Sequence, residues 1–191
     1  MIFETIVTTV DVHGAVHIAP MGVRDENGVV ILAPFRPSKT LENILATGVA
    51  VQNFCDDVRV FAGCVSGLKS DWPTLPASKI PCQRLAQTLA HSELQLEKIE
   101  DDAVRPRLYC ARVHDERHSD FRGFVRAQSA VLEGAILISR LHMLPTEKID
   151  AEWEYLSIAI DKTAGPNERE AWAWLQTKLD EHRAKSMAAQ P

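Results

Sequence analysis

The sequence has no C-x-x-C pair. Its four cysteines, Cys55, Cys64, Cys82 and Cys110, are widely separated, which argues against a zinc ribbon or a dithiol redox centre and leaves buried free thiols as the reading. A glycine-rich dinucleotide fingerprint, a phosphate loop of the G-x-x-x-x-G-K type and a nucleophile elbow are all missing as well. Excess positive charge is absent, with 21 Lys and Arg against 26 Asp and Glu and a formal net charge of -5. Neither nucleic acid nor an anionic membrane surface is therefore an expected partner, and any anion site has to be local. No apolar run is long and uninterrupted. FVRAQSAVLEGAILISRLHML carries Arg126, Glu133 and Arg140, so it reads as a core helix and not as a membrane span. Internal repeats and low-complexity tracts are also lacking, and MIFETIVTTV enters an alternating pattern without a leader, which sets a cytoplasmic expectation.

What is present is alternation, then helical spacing. Residues 2–10 are rich in β-branched side chains, and DVHG turns them into a return arm at 15–23. DENG at 25–28 leads to a third strand, VVILAPF. A helix then starts at Ser38 or Thr40, buries Leu41, Ile44 and Leu45, and stops at Gly48, after which VAVQNF resumes strand character. DDVRVFAGCVSG reads as a short helix entered through Asp56 or Asp57, with a strand as the alternative, and the proline-bearing residues 70–81 read as a loop. SELQLEKIE and RPRLYCARV form a second hairpin around Asp101 and Asp102. Beyond His118 the stripes Ile149, Trp153, Leu156, Ile160 and Trp172, Leu175, Leu179 are helical, separated by a stop at Gly165 and a cap at Asn167 with Glu170 three residues on. About six strands without strand-helix-strand alternation predict a small antiparallel barrel and not a doubly wound sheet. Residues 1–117 form the barrel, 118–185 a helical subdomain packed on it through short connections, and 186–191 a flexible tail.

Two constellations carry chemistry. FRPSKT places Arg36, Ser38, Lys39 and Thr40 at a helix start, where free N–H groups and the helix dipole already favour an anion such as phosphate. The alternative is that Ser38 and Thr40 merely cap the helix while Arg36 and Lys39 are solvated. HDERHSD sets His114 and His118 four apart among carboxylates, but a loop is expected there and not a helix, so no metal site is predicted.

The runs GAVHIAPMGVR, VVILAPFRPSKTLENILATGVAVQNF and DDVRVFAGC, with FRGFVRAQSAV, SRLHMLP and IAIDKTAGPNEREAWAWL later, resemble the flavin reductase-like FMN-binding split barrels, and most closely a family of unknown function with a helical C-terminal part. The resemblance implies a six-stranded antiparallel split β-barrel that binds FMN at a homodimer interface. Arg36, Ser38, Lys39 and Thr40 would hold the phosphate, with His17, Ala19, Met21 and Gly22 along the isoalloxazine edge and Asn53 at a nearby strand end. It also implies an oxidoreductase that takes NADH or NADPH as reductant without a dinucleotide fingerprint. A non-enzymatic FMN carrier or accessory subunit, docking through the acidic helix face of Glu147, Asp150, Glu152 and Glu154, is the second reading, and a barrel for pyridoxal phosphate the third. Open sheet edges and an apolar helical appendage also point to a homodimer. Relatives often carry asparagine where this chain has Val125. Arg122, Arg126 and His142 are the notable polar residues of the helical part, and surface or inter-helix pairing is the role expected of them.

Overall fold

The computed structural model describes residues 1–188. Alternating apolar positions produce six main strands, Ile2–Val10 (β1), Val16–Glu26 (β2), Val29–Leu32 (β3), Val49–Phe54 (β4), Ala90–Glu100 (β7) and Arg107–Arg117 (β8). Two short strands, Thr74–Pro76 (β5) and Gln83–Leu85 (β6), lie between them. The six pair antiparallel in the order β1-β2-β3-β8-β7-β4 and close on themselves where β4 meets β1, with Ile6 opposite Asn53 and Thr8 opposite Val51. Val7, Val23, Val30, Leu32, Ala50, Leu94 and Leu108 fill the interior. Burying each such side chain contributes about 1.5–3 kcal/mol. Closure leaves no open edge among these six strands, so the edge argument for a dimer does not hold.

The first helix, Lys39–Thr47 (α1), starts and stops where its sequence sets the signals. Ser38 Oγ accepts from the Leu41 N–H, and Gly48, at φ 73°, donates its N–H to the Ile44 carbonyl at 2.8 Å. Leu41 and Ile44 join the barrel core, and Asn43 Nδ2 donates to Thr9 Oγ1 at 3.0 Å in a buried bond. Leu45 is exposed instead, because the buried face is centred on Thr40, Asn43 and Ile44 and Leu45 falls on its rim beside Leu41. The third strand ends at Leu32, short of Phe35, because the chain leaves the sheet to bond with the β7–β8 turn, the Arg36 N–H donating to the Val104 carbonyl at 2.8 Å.

Residues 70–81 are not wholly a loop. β5 and β6 pair from Thr74–Leu85 to Pro76–Gln83, and prolines obscure this because a two-stranded edge tolerates them where a central strand does not. Ile80 and Cys82 from this segment pack on Val10, Val49 and Val51.

The chain divides into two compact units, one of Met1–Asp56 with Asp71–Phe121, the other of Asp57–Ser70 with the described residues from Arg122 on. The helix Val58–Ser66 (α2), entered through Asp57 and read from the sequence as part of the barrel region, therefore groups with the C-terminal helices Arg126–Ser139 (α3), Thr146–Thr163 (α4) and Pro166–Ala188 (α5). The reason is apolar. Val58 and Ala62 pack with Ala127, Val131, Ala135, Leu175 and Leu179. Arg59 joins Asp57 at 2.7 Å and Glu170 at 3.2 Å. Gly165, not Asn167, precedes the last helix: its N–H donates to Glu168 Oε2 at 2.9 Å, and Pro166 takes the first helical position, where its missing N–H costs nothing. Of the expected tail, Ser186–Ala188 continue α5 and 189–191 lie outside the described residues. Among the described residues, no helix is long and apolar enough to cross a membrane.

Candidate functional site

Three segments of the barrel unit carry the residues singled out in the sequence. The first is the turn into α1. Arg36 and Lys39 are exposed there, Ser38 is half-buried and Thr40 is buried. Ser38 is occupied as the cap, while the N–H groups of Lys39 and Thr40 have no partner among the described residues. Such orphan donors at the positive end of a helix suit an oxyanion. Arg36 reaches across to Asp101 at 2.9 Å, an exposed pair that a stronger anion can displace at little cost. Arg105 braces the loop by donating to the Ala33 carbonyl at 3.0 Å and lying 4.4 Å over the Phe35 ring.

The second segment is β2. Pairing with β1 sets His17 opposite Thr9, Ala19 opposite Val7 and Met21 opposite Thr5. Met21 packs on the barrel core, so by alternation these three share the inward side of the wall. Gly22 faces the other way, and a Cβ there would stand 2.9 Å from Ile2 Cγ2, so strand packing alone accounts for that glycine. Burial pushes the His17 imidazole below its ordinary pKa, and the Lys39 ammonium pushes it further. The charge of the turn is thus felt at His17 on β2.

Asn53 does not join them. It is fully buried on the other side of the wall, where Nδ2 donates to the Ile6 carbonyl at 3.1 Å and to Thr8 Oγ1 at 3.2 Å, and Oδ1 accepts from the Leu85 N–H at 2.8 Å. Its hydrogen-bonding capacity is spent on joining β1, β4 and β6. Gln52, next to it, has an Oε1 that is buried with no partner.

The third segment contains a cluster that sequence reading missed. His91 on β7 lies opposite Glu116 on β8, and Glu93 opposite His114. His91 Nδ1 is 2.9 Å from His118 Nε2, and His91 Nε2 is 3.3 Å from Glu93 Oε1. Glu93 is fully buried and accepts from the backbone N–H groups of Lys79 at 2.7 Å and Ile80 at 3.0 Å, and also from that of Ser78. Burial alone would raise its carboxyl pKa, but the Ser78, Lys79, His91 and Ile80 donors outweigh it and hold the group below its ordinary value. The signal for the cluster was present in the hairpin register. Glu97 on β7 and Val113 on β8 are each skipped by the ladder, and the two irregularities cancel, so a register counted from the Glu100–Arg107 pair next to the turn pairs His91 with Glu116. HDERHSD is strand through Arg117 and not the loop expected, because β8 continues its pairing with β7 as far as Ala90, and His114 and His118 are not brought together by helical spacing.

Cys82 and Cys110 are free thiols and buried, and Cys55 and Cys64 are half-buried. Burial pushes the Cys64 and Cys82 thiols up to about 11 and that of Cys110 to about 12, so none of these three is a thiolate nucleophile at neutral pH.

A family model described as "Protein of unknown function (DUF447) N-terminal domain" matches residues 3–119, and one described as "Protein of unknown function (DUF447)" matches residues 125–177. No curated protein matches the chain. Among solved structures, the FMN-bound protein MM1853 from Methanosarcina mazei, also matched to DUF447, superposes with a TM-score of 0.78 at 17% identity, over 93% of this chain and 94% of its own. The 2-nitrobenzoate 2-nitroreductase NbaA of Pseudomonas fluorescens reaches 0.51 at 20% identity over 60% of this chain and 64% of its own. Nitrilotriacetate monooxygenase component B from Mycobacterium thermoresistibile reaches 0.53 at 15% identity over 64% and 73%. At these identities the likeness is one of fold.

Proposed function

The chain belongs to the DUF447 family, and from that premise we propose that it is an FMN-binding flavoprotein whose phosphate site is the turn into α1. The observation that carries this reading is the donor set: two unpartnered N–H groups at a helix start, flanked by the exposed Arg36 and Lys39. That set fits a phosphate dianion in charge and in donor geometry. The FMN named for the Methanosarcina mazei protein, which shares family and fold, supports the same choice of ligand. Arg36 would exchange Asp101 for the phosphate, Ser38 would keep the helix start in shape, and His17, Ala19 and Met21 would offer the half-buried surface of β2 to the ring. When bound, the flavin supplies electron or hydride transfer, and the protein's part is to position it and to set the electrostatics around it.

An oxidoreductase of the flavin reductase-like type follows, with NADH or NADPH as reductant and FMN near a homodimer interface. The dimer is supported by the family resemblance and by apolar side chains left exposed on the barrel unit, among them Phe3, Val16 and Phe35. A non-enzymatic FMN carrier is the second reading, which the unpaired phosphate donors suit equally well. The purified protein is expected to be yellow. Anaerobic titration with NADH and NADPH separates the two readings, since an oxidoreductase bleaches with one of them and a carrier with neither. Replacing Arg36 with Ala is expected to weaken FMN binding roughly tenfold to a hundredfold, because a charge-assisted bond contributes about 1.5–3 kcal/mol. Riboflavin should bind both forms equally poorly. Unchanged FMN affinity in Arg36→Ala and in Lys39→Ala would place the phosphate elsewhere.

A further inference from the structure

The β7–β8 hairpin carries a ligand set that the flavin reading does not use. One nitrogen each of His91 and His118 and a carboxylate oxygen of Glu116 lie within 4.8 Å of one another. Imidazole and carboxylate together are the donors that zinc takes in open, three-ligand sites, at bond lengths of about 2.0–2.2 Å.

The support behind these residues is what separates them from a chance surface group. Glu93, fully buried and held by three backbone N–H groups, faces Nε2 of His91. An ionised carboxylate there fixes the proton of His91 on Nε2 and leaves Nδ1 as a bare lone pair. A carboxylate, a histidine and an ion in that sequence is the arrangement that orients metal-binding imidazoles. His91 Nδ1 points at His118 Nε2, 2.9 Å away, with the two ring planes 3° apart. Their centroids are 5.1 Å apart, so the rings lie edge to edge in nearly one plane and share one proton between two nitrogens. An ion replaces that proton. With His91 fixed and its Nδ1 lone pair aimed along the line to His118 Nε2, an ion bonded at about 2 Å falls beside the present place of that nitrogen, so His118 has to swing aside by on the order of 2 Å to ligate it. It can, because it follows the end of β8 with its side chain 18% exposed, whereas His91 is buried and fixed.

We propose that His91, Glu116 and His118 bind one zinc ion, with Glu93 as the positioning carboxylate and a coordination position left open to the cavity alongside. That cavity, of about 490 Å³, is lined by His91 and Glu116 and also by Phe54, Ser92, Arg112 and Arg117. Three protein ligands and an open fourth position are the pattern of a site that exchanges its remaining ligand, not of a closed structural site. Asp115 borders the same cavity, and Arg112 and Arg117 are paired with Asp25 and Asp120, so water is the ligand expected at that position.

The test uses the full-length chain without an affinity tag, treated with a chelator, dialysed, and titrated with zinc chloride in a calorimeter. One ion per chain is expected at micromolar affinity or tighter. His118→Ala and Glu116→Gln should each weaken binding at least about tenfold, and Glu93→Gln by about 10–100-fold, as loss of an outer carboxylate does at comparable sites. His142→Ala, on the helical unit, should bind as wild type. Zinc should raise the melting temperature of the wild type and not of His118→Ala, whose own melting temperature without metal reports that it is folded. Absence of binding in the wild type overturns the proposal, and so does wild-type affinity in both His118→Ala and Glu116→Gln. Because none of these substitutions touches the turn into α1, FMN retention measured on the same samples keeps the outcome separate from the flavin reading.

Discussion

A single buried amide shows how far residue identity and residue role can part. Asn53 sits at the strand end where the family resemblance places a cofactor contact, yet it spends its donors and acceptor on Ile6, Thr8 and Leu85. Asn53→Ala is therefore expected to destabilise the fold, since each buried partner left unsatisfied costs about 1–3 kcal/mol. Chemical denaturation measures it, and a variant as stable as wild type would contradict the hydrogen-bond assignment. His17 makes a pH prediction. Its folded pKa lies below the ordinary 6.5, so as pH falls through that value the unfolded chain takes up a proton that the folded chain does not. Stability should then decline on the acid side of 6.5, and His17→Gln should flatten that part of the profile. Phosphate held at Lys39 would offset the ammonium charge that lowers the His17 pKa, so FMN should flatten the profile too.

At the level of elements, the sequence spoke clearly wherever a local rule decided the outcome. Ser38 and Gly48 bracket α1, Asp57 opens α2, and alternation places the main strands, because each signal needs only its near neighbours. It was silent where distant packing decided. Nothing local says that α2 belongs with α3 and α5, or that Pro76 can sit in a two-stranded sheet. Asn167 misled because a proline one residue earlier was the stronger helix start. The candidate site divides the same way: the phosphate turn is one contiguous motif, whereas the His91 cluster becomes visible only through a hairpin register 27 residues deep. Gly134 on α3 offers a test of packing. A Cβ there would meet the Trp172 ring at 2.8 Å, and that ring is stacked on Trp153 with centroids 4.0 Å apart. Gly134→Ala should cost about 1–3 kcal/mol through overpacking, against a helix-propensity gain of up to about 1 kcal/mol. A rise in melting temperature would mean that Trp172 moves aside freely.

For the whole molecule, the placement of α2 governs what can be removed. Val58 and Ala62 lie in the middle of the barrel sequence, but their core partners come from α3 and α5. A chain ending before Phe121 should therefore expose the apolar face of α2 and aggregate. A soluble fragment that retains flavin would show that face to be dispensable. The homodimer is checked by light scattering at micromolar concentration, where a mass near twice 21.3 kDa is expected. A monomer would count against a cofactor site shared between two chains.

Closure of the barrel also bears on how the chain assembles. The hairpins β1–β2 and β7–β8 join neighbours in sequence, but β4 has to meet β1 on one side and β7 on the other, and the bond from Asn53 to Ile6 spans 47 residues. Such long loops are entropically expensive to close and delay the contacts that reward closure. Until β1 or β6 covers it the Asn53 amide can stay hydrated. Once one of them covers it, the absence of the other leaves a desolvated polar group. A nearly assembled barrel, or one whose strands have slipped by a residue, is therefore penalised twice, by lost apolar contact and by a stranded amide, which makes the last steps of folding mutually dependent.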